Sequence, residues 1–232
     1  MTRGTKVLHI IFATIHPQFI ETYLQFGVFR RAIECGNLKV EIKDIRSFAV
    51  DRHGSVDGPP YGGGEGMVMR PEPLGSVIES CPEGTRVITT SPAGRLWDHQ
   101  EARRLSQSQD KPLLFICGRF GGIDQRFLDR YVDLDYSIGD YVLSGGELPV
   151  LAISDSMVRF LSGALGNASS ASQDSFGLGM QGALEYPLYT RPPKWEGLEV
   201  PSVLISGNHR KIEQWQKQQS LDKTRKLRPD LL

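Results

Sequence analysis

Three glycine-bearing segments are the places where this chain can bring bare backbone against a ligand. They are YGGGEGM from Tyr61, CGRFGGID from Cys117 and SIGDYVLSGGELP from Ser137. Glycines leave no side chain in the way, so backbone amides and carbonyls can approach a bound molecule closely. The first segment is not a phosphate-binding loop, because the closing Gly-Lys-Ser or Gly-Lys-Thr is absent. It also lacks the dinucleotide fingerprint, since the spacing is wrong and no helix-opening G-x-x-G follows a strand. Taken singly, each segment is equally well a tight turn that uses glycine for positive φ. Zinc chemistry finds no support: Cys35, Cys81 and Cys117 are scattered, without paired spacing. An odd number of cysteines without secretory features fits a reducing cytoplasm.

The elements that would position these loops follow from hydrophobic periodicity. Val7 to Phe12 reads as a strand, Pro17 to Ile33 as a helix, and Leu38 to Ile45 as a second strand. A long loop from about Arg46 to Met67 is dense in Gly, Pro and Asp. Helices are expected over Pro73 to Glu79, Asp98 to Gln107, Asp124 to Arg130 and Glu147 to Leu161. Strands are expected over Arg86 to Thr90, Leu113 to Cys117 and around Tyr131 to Ile138. The near-continuous apolar run at Leu113 is the pattern of a strand buried on both faces. Strands alternating with helices argue an α/β domain with a largely parallel sheet. The second glycine segment directly follows such a strand, where parallel sheets bind ligands.

After Leu161 the composition shifts to Gly, Ala and Ser, as in a flexible linker. Helices near Lys211 to Gln218 and Leu221 to Arg228 then form a small C-terminal domain. The organisation read here is an α/β domain over residues 1–162, a linker over 163–182 and a helical domain over 183–232. No run approaches the roughly 18 apolar residues that span a bilayer. Arg3 and Lys6 precede a short apolar run, but His9 interrupts it, which favours a buried first strand over a signal peptide. The net charge is zero, so bulk electrostatics announce no nucleic-acid partner. From Asn208 to Leu232, however, seven Lys and Arg stand against three Asp and Glu. On charge alone this is a solvated helix face as readily as a contact surface.

Together the segments say more than they do singly. The ordered set SPAGR, CGRFGGID, SIGDYVLSGGELP, QDSF and YTRPPKWEGLEVPSVLISGNH resembles the bacterial tRNA (guanine-N1-)-methyltransferase family, in the knotted SPOUT class. YGGGEGMVM and the C-terminal QWQKQQSLDKTRKLRPDLL are also similar to it, so the resemblance covers nearly the whole chain. It implies a trefoil knot, a homodimer with its active site across the subunit interface, and S-adenosylmethionine as methyl donor. The donor would be bound by Ser91, Pro92 and Gly118, by Ser137, Ile138, Gly139, Asp140, Tyr141, Val142 and Leu143, and by Gly145, Gly146 and Pro149. Asp174 matches the general base and Arg159 its partner.

The implied substrate is tRNA with guanosine 37, whose N1 carries a proton in the neutral base. A carboxylate at Asp174 would remove it, and a guanidinium at Arg159 would stabilise charge developing on O6. Arg210, Lys211, Lys217, Lys223, Arg225, Lys226 and Arg228 would meet tRNA phosphates. Two positions depart from the family pattern. Phe120 and Gly121 stand where the family has Tyr and Glu, which removes an acid linked to magnesium. Glu65 stands where the glycine loop has Pro, and is expected to supply a carboxylate in compensation. The departure at Gly121 suits a protein that binds donor and tRNA but methylates poorly. Retention of Asp174 and Arg159 favours an enzyme, and the C-terminal match favours tRNA over another RNA.

Overall fold

The computed structural model describes residues 7–107, 110–166 and 170–232, without the side chains of Ser170 and Ala171. The chain divides into two compact units, Met1–Gly166 and Asn167–Leu232.

In the first unit β1 (Leu8–Thr14) is almost wholly buried, because its apolar residues fall on both faces. Two helices follow, α1 (Pro17–Leu24) and α2 (Gly27–Glu34), where the periodicity predicts one. Gly27, at φ +60°, breaks the run. β2 (Leu38–Asp44) pairs with β1 in parallel. The expected long loop carries a 3₁₀ turn at Ile45–Phe48 and a short antiparallel pair, β3 (Asp57–Gly58) with β4 (Val68–Met69). Then come α3 (Pro71–Glu79), β5 (Arg86–Leu96), α4 (His99–Ser106), β6 (Leu113–Ile116), α5 (Gln125–Tyr131), β7 (Leu134–Ser137) and α6 (Glu147–Val158).

The five long strands form a parallel sheet in the order β2-β1-β6-β5-β7. Helices α1, α2, α4 and α6 cover one face around Phe12, Phe29, Phe115 and Met157. Helices α3 and α5 cover the other, around Ile11, Leu74, Leu114 and Phe127. β5 runs further than the apolar pattern predicts, through an irregularity. Thr90 and Arg95 both register with Tyr136, so Ser91–Gly94 loop out of the ladder. Gly94 is held so tightly that an added Cβ would lie 2.5 Å from the Tyr136 carbonyl carbon.

In the second unit a helical turn, α7 (Ser170–Gln173), precedes a 3₁₀ turn at Leu178–Met180. A small hairpin pairs β8 (Lys194–Trp195) with β9 (Leu198–Glu199). α8 (Ser202–Ile205) leads to α9 (His209–Leu227), one helix of 19 residues where two are predicted. Asn208 caps it, accepting from the Lys211 amide at 3.1 Å. The polar stretch that reads as a break is instead tied down by hydrogen bonds. Ser220 Oγ donates to the Leu184 carbonyl at 2.6 Å, and Thr224 Oγ1 accepts from the Leu184 amide at 2.9 Å.

Candidate functional site

Three connections leave the carboxyl ends of β5, β6 and β7, and they enclose one cavity of about 750 Å³. Ser91 and Pro92 come from the outlooped part of β5. Gly118 to Ile123 follow β6, and Ser137 to Gly146 close β7 and lead into α6. Of the donor-binding residues expected from sequence, all line this cavity except Asp140, which is exposed beside it. The second and third glycine segments therefore meet in space, although each is only a turn when considered alone.

The loops approach one another backbone to backbone. The Gly146 amide donates to the Gly118 carbonyl at 2.7 Å, and a Cβ on Gly146 would lie 2.6 Å from the Gly118 nitrogen. The first glycine segment reaches the same place: the Gly121 amide donates to the Met67 carbonyl at 2.7 Å. Glu65 is exposed two residues away from that contact.

Several polar groups that shape the site escape a reading of the sequence. Asp135 accepts from Thr89 Oγ1 at 2.9 Å and from Ser91 Oγ at 2.5 Å, which fixes the start of the β5 excursion. Glu147, the first residue of α6, is buried and accepts from both Thr14 and Arg119. Glu147 and Arg119 both sit inside the motifs that attract notice, in GGELP and CGRFGG. Their pairing spans 28 residues, and an acid at a helix start reads as an ordinary first-turn charge. Cys117, buried beneath the loops, has its thiol pushed well up by burial, which keeps it an inert neutral side chain.

The two expected catalytic residues lie apart in the chain's organisation. Arg159 caps the C-terminus of α6 in the first unit, and Asp174 follows α7 in the second. Neither lines the cavity of the first unit. The expected basic residues lie on α9 and just after it. All are exposed except Lys223, which is partly covered and donates to the Glu185 carbonyl at 2.8 Å. Arg228 is paired with Asp230. Among the described residues, no group of three or more His, Cys, Asp or Glu is placed to hold a metal ion. No described helix is long and apolar enough to cross a membrane.

Comparison with known proteins adds the chemistry. A family model described as tRNA (Guanine-1)-methyltransferase TrmD matches residues 8–232. A protein of Geobacter sulfurreducens named tRNA (guanine-N(1)-)-methyltransferase is 46% identical over 222 residues, covering 94% of this chain and 89% of its own length. Proteins of the same name from Desulfatibacillum aliphaticivorans and Pectobacterium carotovorum are 43% and 45% identical. These alignments cover 97% and 94% of this chain, and 85% and 87% of the relatives.

Proposed function

The chain belongs to the tRNA (guanine-1)-methyltransferase family, and from that membership we propose that it methylates N1 of guanosine 37 in tRNA, with S-adenosylmethionine as donor. It is an enzyme of the methyltransferase class. The observation that carries the finer reading is the cavity, where three loops distant in sequence meet at the carboxyl ends of adjacent strands.

The residues present suit the donor. The cavity falls within the roughly 300–1,000 Å³ of small-molecule sites, and Gly118, Gly122 and Gly139 are among its lining residues. Ser91, Pro92, Gly118, the loop from Ser137 to Leu143, and Gly145, Gly146 and Pro149 would hold it. Bound there, S-adenosylmethionine supplies an electrophilic methyl on sulfur. The chain's own task is to make guanine nucleophilic. Asp174 takes the N1 proton, and Arg159 faces the negative charge that moves towards O6. Guanine N1 lies on the Watson–Crick edge, so an extruded loop base is the form such a site accepts.

Asp174 and Arg159 belong to different units, which is in keeping with a homodimer whose active site is completed across the subunit interface. Residues 1–162 form the donor-binding domain in this proposal, 163–182 the interdomain linker and 183–232 the tRNA-binding domain. The exposed basic residues of α9 contact phosphates. The trefoil knot implied by the family would be formed by the same loops, and the close backbone passages at Gly94 and Gly146 suit a tight threading. Gly121 offers no carboxylate where the family has the Glu linked to magnesium, so the proposal assigns that ion no residue and no step. The free thiols of Cys35, Cys81 and Cys117 fit a cytoplasmic protein.

Single-turnover methyl transfer by Asp174→Ala tests the assignment of the base. The rate is expected to fall by about 10²–10⁴-fold while donor binding persists. A native rate in this variant would remove Asp174 from the mechanism.

A further inference from the structure

Glu147 is 1% exposed, yet it is a carboxylate with a partner on each oxygen. Oε1 accepts from Thr14 Oγ1 at 2.7 Å, at the carboxyl end of β1. Oε2 accepts from Arg119 Nε at 2.8 Å, in the loop after β6. Arg119 in turn donates from Nη1 to the Ser144 carbonyl at 3.3 Å, in the loop after β7. One buried group thus connects three segments that are far apart in sequence. Arg119 and Ser144 line the cavity, whereas Glu147 and Thr14 stand behind it. The Arg119 side chain occupies the space a side chain at Gly145 would need: a Cβ there would be 2.3 Å from Arg119 Nε.

A stability role alone explains this arrangement poorly. Replacing a buried ion pair by well-packed apolar groups is often neutral or stabilising, so such a pair is weak evidence for stability. What it does provide is a directional, charge-assisted geometry. Here that geometry links the loop after β6 to the loop after β7, two of the three walls of the cavity.

We infer that Glu147 is a positioning residue for the methyl-donor site: it orients Arg119, which holds the 137–146 loop through the Ser144 carbonyl. The inference rests on the donor-site reading above. Glu147 touches no reacting atom, and its effect on the donor passes through Arg119.

The test is S-adenosylmethionine binding by calorimetry to the full chain and to Glu147→Met, Arg119→Met and the double variant, with Glu147→Gln alongside. Loss of a hydrogen bond to a charged group predicts at least about 10-fold weaker binding for Glu147→Met. In the Arg119→Met background the same change is expected to weaken binding by less than about twofold, since its path is already cut. Glu147→Gln, which can still offer an oxygen to Nε and an amide to Thr14, is expected to recover most of the loss. If Glu147→Met does not fold, Glu147→Gln serves in its place. It should then bind a few-fold more weakly than the unmodified chain, whereas the Glu147→Gln, Arg119→Met double variant should bind no more weakly than Arg119→Met alone. Equal weakening in both backgrounds, or native affinity without the carboxylate, overturns the inference while leaving the donor site intact. Failure of the unmodified chain to bind S-adenosylmethionine overturns the donor-site reading and this inference with it.

Discussion

Two buried glutamates, each paired with an arginine, are used in opposite ways. Glu101 lies in the first turn of α4 and accepts from Arg104 Nε at 2.8 Å, one turn along the same helix. It also accepts from the buried Tyr136 hydroxyl on β7. Those contacts pin a helix to the sheet beneath it. Glu147 instead reaches partners 133 and 28 residues away in sequence, in β1 and in a loop that lines the cavity. Both acids thus reach a cavity-lining residue, Tyr136 at 35 residues' separation and Arg119 at 28, but Tyr136 is held in the ladder of β7 whereas the Arg119 side chain, in a loop, is held by this contact and the Ser144 carbonyl. The first should therefore register mainly in stability and the second mainly in ligand binding.

The sharpest way to break this contrast is Glu101→Ala. It leaves the buried Tyr136 hydroxyl without its acceptor and removes a charged hydrogen bond from the half-exposed Arg104, which together cost about 3 kcal/mol. Urea unfolding is expected to show that loss, with donor affinity of the folded protein within about twofold of native. Parallel loss of binding and stability would erase the distinction.

Acid titration gives the next largest effect. Arg104, and then the Tyr136 hydroxyl, hold the Glu101 carboxyl down at about 2, against an ordinary value of 4.5. Its folded pKa is depressed, so the stability it contributes is present above pH 4.5 and is lost as pH falls towards 2. The difference amounts to roughly 3 kcal/mol. Wild type and Glu101→Gln should therefore differ in unfolding free energy at pH 6 and converge as pH falls to 2. At the alkaline end, burial and Glu101 push Tyr136 up to about 12. That raised pKa contributes stability below pH 10 that disappears as pH rises through 12, and Tyr136→Phe should flatten this limb.

Gly146→Ala presses on the other side of the comparison. The new methyl would meet the Gly118 nitrogen at 2.6 Å, and overpacking of this kind costs about 1–3 kcal/mol. Because the strain falls between two cavity walls, donor binding is expected to suffer more than the melting temperature. The smallest effect is expected at Tyr23, whose exposed hydroxyl donates to Asp155 Oδ1 at 3.0 Å. Tyr23→Phe should change neither stability nor binding measurably, and a clear loss of binding would extend the site beyond the cavity.

The parts of the fold that were legible in the sequence are those where local pattern and burial agree. The runs in β1 and at Leu113–Ile116 had to be strands covered on both faces, and the glycines after Ile116 had to be a loop at the ligand end of a parallel sheet. Elsewhere a local backbone turn or a tertiary contact overrides the apolar pattern. Gly27 splits a periodic run into α1 and α2, and Ser220 and Thr224 carry α9 through a stretch that lacks an apolar stripe. The excursion at Ser91–Gly94 depends on β5 meeting Tyr136 twice, which no local pattern encodes. At the site, the loops could be named from their glycines and from family resemblance, but the links among Thr14, Arg119, Glu147 and Ser144 exist only once the chain is folded.

The central claim is a reaction on one atom of one nucleotide. Its most direct test is transfer of labelled methyl from S-adenosylmethionine to unmodified tRNA carrying guanosine 37, beside an otherwise identical tRNA with adenosine there. Label is expected only in the first, at guanine N1. Equal labelling of both tRNAs, or none in either despite binding of donor and tRNA, would contradict the account.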